Sequence, residues 1–108
     1  MAYDEELANR VRTLMGPAIT ERRMFGGLAM LVNGNMAVAV RGGGGLMVRV
    51  DPDQSEALCR ERGAALVVMR GREMPGWVAV EPDACARQAD LKRWVTRGQA
   101  YAATLPPK

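Results

Sequence analysis

Leu28-Ala29-Met30-Leu31-Val32-Asn33-Gly34-Asn35-Met36-Ala37-Val38-Ala39-Val40 is a pair of apolar runs joined by Asn-Gly. Asn-Gly favours a two-residue hairpin turn because both central residues there need positive φ. Pairing Val32 with Asn35 sets a register in which Leu31 faces Met36, Met30 faces Ala37, Ala29 faces Val38 and Leu28 faces Ala39. Both faces of this hairpin are apolar, whereas a two-layer domain covers only one face of its sheet with its own helices. The other face needs a different cover. Leu28, Met30 and Val32 form the candidate interface, and the expected occupant is a second copy of the chain or a protein partner.

Working outward, Tyr3, Leu7, Val11, Leu14 and Met15 recur at helical spacing and Gly16-Pro17 stops the pattern, which predicts a first helix. Short strands flank the hairpin from Arg22 and over Leu46–Val50, with Gly42 to Gly45 as a flexible connector. A phosphate-binding loop would run from a strand into a helix and end in Gly-Lys-Ser/Thr, and this one does neither. Asp51-Pro52-Asp53-Gln54 opens a second helix running to about Arg62, with Asp51 and Asp53 as capping acids rather than an acid-base dyad. Ala64–Met69 and Trp77–Val80 are two more strands, separated by the polar connector from Arg70 to Gly76. Pro82-Asp83 starts a last helix along Leu91, Trp94, Val95, Gly98, Tyr101, Ala102 and Leu105. The order α-β-β-β-β-α-β-β-α predicts an α+β two-layer sandwich, an antiparallel sheet with helices on one face, as one domain over residues 1–108.

The 108 residues include no histidine, which excludes Ser-His-Asp and Cys-His nucleophile systems and the HExxH zinc site. Cys59 and Cys85 form no CxxC pair and are expected as small buried or half-buried thiols in a reducing cytoplasm. No apolar run approaches the roughly 18 residues of a spanning helix, and no leader segment is recognisable. No cofactor, metal or membrane is expected, and the chain reads as a non-enzyme. The net charge is +3, and all basic residues except Lys92 and Lys108 are arginine. Arg22, Arg23, Arg70 and Arg72, with Arg49 on the face of Met47, are the candidate patch for an anion or nucleic acid. Seven internal methionines (15, 24, 30, 36, 47, 69 and 74) are many for this length, and Met fills cores or adaptable binding surfaces. Trp77 and Trp94 are expected as core anchors.

Arg23-Met24-Phe25-Gly26-Gly27, then Gly34-Asn35-Met36, then Leu46-Met47-Val48-Arg49-Val50-Asp51, and the stretch Met74-Pro75-Gly76-Trp77 follow one another in a recognisable order and spacing. In this the chain resembles the N-terminal domain family of the TfoX/Sxy competence regulators, from the first helix to Leu105. The resemblance implies a small α+β domain, found alone or fused to a helical C-terminal domain. It also implies a regulatory role, in association with a cyclic-AMP receptor protein and the transcription machinery rather than in catalysis. Two rival readings stand beside it. One is a small-anion or nucleic-acid module using the arginine patch, and the other is an enzyme, for which a deep pocket with convergent polar groups is the minimum requirement.

Overall fold

In the computed structural model, which describes residues 3–24 and 26–108, Asn33 and Gly34 take φ of +53° and +83° and Val32 pairs with Asn35. The turn is the one that the dipeptide requires. It joins β2 (Gly27–Val32) to β3 (Asn35–Val40). With β1 (Thr20–Met24), β4 (Leu46–Arg49), β5 (Ala64–Met69) and β6 (Arg72–Val80) they form a six-stranded sheet in the order β1-β2-β3-β4-β6-β5, every pair antiparallel. The α+β class and the element order agree with the sequence reading.

The register departs from expectation two residues from the turn. Leu31 opposes Met36, but Met30 then opposes Val38, Ala29 opposes Ala39 and Leu28 opposes Val40, with a bulge between Met30 and Leu31. Ala37 is the extra residue. A bulge turns two consecutive side chains to one face, and Ala37 and Val38 both join the cluster beneath the helices.

A second difference lies between β5 and β6. The connector expected from Arg70 to Gly76 is instead a two-residue turn at Arg70-Gly71, both at positive φ, followed directly by strand. Met69 pairs with Arg72, and the ladder jumps from Val67↔Met74 to Leu66↔Val78. Pro75, Gly76 and Trp77 therefore have no β5 partner. Proline donates no hydrogen bond to a ladder, so the break falls where the sequence allows it.

Three helices cover one face. In α1 (Glu5–Met15) the Asp4 carboxylate accepts the Leu7 N–H at 3.1 Å, and the helix ends at Gly16. In α2 (Pro52–Leu58) the Asp51 carboxylate accepts the Asp53 N–H at 2.9 Å, which supports capping over chemistry. This helix ends before the expected Arg62, because Arg60 and Glu61 N–H groups turn back to the Ala57 and Leu58 carbonyls. Pro82 opens only a 3-10 turn to Ala84, and α3 runs from Gln88 to Thr104. The Arg12 guanidinium grips both Glu21 oxygens and ties α1 to β1.

The helix layer sits on the face of Leu28 and Met30, so the candidate interface is overturned. Leu28 is 4% exposed and Met30 0%, in one cluster with Val38, Val40, Leu46, Val48, Leu91, Trp94 and Val95, against which Val32 packs half-buried. Because both hairpin faces are apolar, their pattern did not say which one the helices would take. Gly98 supplies part of the answer, since a Cβ there would lie 2.5 Å from the Ala37 carbonyl oxygen. Its absence lets α3 settle directly on the bulge.

Charge-assisted bonds to Glu21 from Arg12, and to Glu61 from Arg97 and then Arg93, hold both carboxyls below their ordinary value of 4.5. Groups whose folded pKa is depressed stabilise above the unfolded value and lose that contribution as pH falls through the folded one. Stability is therefore expected to be level from neutrality to about pH 5 and to drop below about pH 4.5, each partly exposed pair contributing less than about 1 kcal/mol. Urea midpoints across this range check it; Glu61→Gln is expected to flatten the acid limb, and an unchanged limb would count against the pairing.

Candidate binding face

The uncovered face is built on short side chains. Cross-strand pairing places Arg22, Ala29, Ala39, Met47, Ala79 and Ala65 in one row across all six strands in sheet order. Four alanines in six positions leave a low floor. Longer residues stand around it: Leu31, Met36 and Val67 are buried on this face, and Met24, Met69, Met74 and Trp77 pack half-buried against them.

The result is a cavity of about 350 Å³. Met24 from one edge strand and Val67 and Met69 from the other both line it, so the sheet curls and this face is concave. A neighbouring depression of about 240 Å³ shares Met24, Met36, Met47, Val67 and Met69 and extends to the Gly42-Gly43 loop. Five of the seven internal methionines line the first cavity, while Met15 and Met30 belong to the helix-side core. Thioether side chains are flexible and polarizable, so such walls adjust to a guest's shape.

The charged side chains that line the cavity have one sign: among the described residues Arg22, Arg49 and Lys108 line it, and no Asp or Glu does. The Arg49 guanidinium carbon lies 5.1 Å from the centroid of Trp77, its cross-strand partner. Stacking in this way leaves the N–H edge of a guanidinium available. Lys108 reaches the rim because its N–H bonds the Asn33 carbonyl at 2.8 Å and buried Asn35 donates to the Pro106 carbonyl at 3.0 Å.

Of the expected arginine patch, Arg22 and Arg49 line this cavity. Arg23 opposes Leu28 and projects on the helix side, whereas Arg22 opposes Ala29 on the concave side. Neighbouring residues of a strand point to opposite faces, so the pair divides. Arg70 and Arg72 are exposed at the tip of the β5–β6 hairpin. Trp77 is half-buried in the cavity wall rather than a core anchor; Trp94 does hold the core, at 0% exposure. Among the family motif residues, Arg23 is on the helix side, Met24 lines the cavity and Gly27 is buried at the start of β2. Phe25 lies outside the described residues. Gly26 is exposed at positive φ, with open space around the position of a Cβ.

The thiols are poor nucleophiles. Burial pushes Cys85 up to about 11, and burial followed by the charges of Glu73 and Glu56 raises Cys59. A neutral thiol is not the reactive form. Among the described residues no group of three His, Cys, Asp or Glu is placed to hold a metal ion, and no helix is long and apolar enough to cross a membrane. No curated protein matches the chain. The TfoX N-terminal domain model matches residues 11–102, which takes in α1 from Val11, the whole sheet and most of α3, and the chain belongs to that family.

Proposed function

We propose that this protein is a regulatory domain that works by reversible binding without catalysis, and that its working surface is the concave face of the sheet. One observation carries the reading: an apolar face left open by the helices, walled by adaptable methionines and provided, among the described residues, with guanidinium groups but no Asp or Glu. Surface of this kind marks interaction sites. Family membership supports a role near transcription, in the cytoplasm, in the manner of the TfoX regulators. The neutral thiols and the lack of histidine fit a protein that binds rather than reacts.

The nucleic-acid alternative needs a basic stripe on one surface, and Arg22 and Arg23 stand on opposite faces. Its anion-binding half keeps Arg22 and Arg49.

Met69→Glu and Arg49→Glu change half-exposed residues and are expected to leave the fold intact. Cells carrying either variant are expected to show the altered transcripts of cells lacking the protein. Wild-type transcripts in both variants, with altered ones in the deletion, would remove the concave face as the working surface. Unaltered transcripts in the deletion itself would remove the regulatory role.

A further inference from the structure

We propose that the concave cavity is a site for a small amphipathic monocarboxylate, its apolar body lying among the methionines and its carboxylate held by Arg49. This rests on the reading of the concave face as the working surface and names what occupies it.

Size, wall chemistry and charge each narrow the class. A volume of about 350 Å³ lies at the lower end of the range of small-molecule sites, below what an extended macromolecular partner needs. Met36, Met47 and Met74 present thioethers with no hydrogen-bonding demand, so the body of the guest must be apolar. In sheet order, Leu31 and Met36 lie between Arg22 on β1 and Arg49 on β4, which puts apolar surface between two cations. We place the carboxylate on Arg49 rather than Arg22, because the Arg49 guanidinium is held against Trp77. Among the described residues neither forms a salt bridge, and the ion pairs that do form use Arg12, Arg93 and Arg97. A guanidinium that is laid against an indole and has no carboxylate partner is arranged to receive one.

A neutral lipid would leave both cations unused, and a cationic amphiphile would meet like charge. Nucleotides suit the cations but bring a polar body to an apolar floor. An amphipathic carboxylate satisfies both parts of the cavity, since a hydrogen bond to a charged group is stronger than a neutral one.

The test uses the whole chain labelled at its methionine methyl groups, titrated below micelle-forming concentration with octanoate, octanol, octylammonium and acetate. Octanoate is expected to bind saturably and to move the methyl signals of Met24, Met36, Met47, Met69 and Met74 while those of Met15 and Met30 stay. Octanol, octylammonium and acetate are each expected to bind at least about tenfold more weakly. Both arginines are at solvent-accessible positions; Arg49→Gln is expected to weaken octanoate about tenfold, Arg22→Gln to weaken it less, and both to leave octanol unchanged. Equal affinity for octanoate and octanol would overturn carboxylate recognition. Shifts confined to Met15 and Met30, or none with any probe, would overturn the site, and the transcript experiment would then judge the concave face independently.

Discussion

Gly98→Ala is expected to destabilise the protein by about 2–3 kcal/mol, the reverse of what the same change does on an open helix. At an unobstructed helical position alanine is better than glycine by about 1 kcal/mol, because it restricts the unfolded chain and shields the backbone. Here the added methyl would lie 2.5 Å from the Ala37 carbonyl oxygen, 2.9 Å from a Val38 methyl and 3.1 Å from one of Val48. The nearest of these is backbone, in a strand paired on both sides, so relief requires α3 to lift. Leu91, Trp94, Val95 and Ala102 on the same helix would lose contact with the sheet as it did so. For a domain of this size the loss corresponds to a fall in melting temperature of roughly 10–20 °C. Thermal and urea unfolding check it, with exposed Ala100→Gly as the control for helix propensity alone. A Gly98→Ala protein more stable than the parent would mean that the helix does not approach the bulge as described.

The fold was legible where its causes are local. Asn33-Gly34 fixed the hairpin, Gly16 closed the first helix and Asp51-Pro52 opened the second, each through a preference of the residue itself for a turn or a cap. Where the cause is distant, the reading missed. The bulge at Ala37 has no local signature, since alanine fits a regular ladder as well. What accommodates it is Gly98, 61 residues later. The choice of face failed for a related reason: Leu28 and Met30 on one side and Ala29 and Leu31 on the other are similarly apolar. Pro82 shows the ambiguity of a genuine signal, because proline suits the first position of a 3-10 turn as readily as that of an α-helix.

The site was legible in its materials but not in its assembly. An excess of methionine was plain from composition, and Arg49 was already placed on the face of Met47. The hollow depends on the row of Ala29, Ala39, Ala79 and Ala65, which appears only when four separate registers are known. In the linear sequence these alanines look like filler. Arg22 and Arg23 mislead in the opposite way, since adjacency along a strand separates side chains rather than grouping them.

The two tryptophans separate the faces experimentally. Trp94→Ala is expected to cost about 3–5 kcal/mol, a large share of the 5–15 kcal/mol typical of a whole domain. Its ring is 0% exposed between α3 and the sheet, Arg97 stacks on it at 4.6 Å, and its removal leaves a cavity in the cluster of Leu46, Val48, Leu91 and Val95. Trp77→Ala removes a half-buried ring from the cavity wall and its stack with Arg49, a contact worth about 0.5–1 kcal/mol at such sites. Its stability loss is expected to be at most about half that of Trp94→Ala, while the octanoate affinity is expected to fall because Arg49 loses the surface that positions it. Urea unfolding followed by circular dichroism, which does not depend on the deleted fluorophore, measures the first difference, and methyl-signal titration measures the second. Equal destabilisation by the two changes would mean that the concave face carries the fold as the helix-side core does. A large gap, with ligand response lost only at Trp77, would place stability on one side of the sheet and recognition on the other.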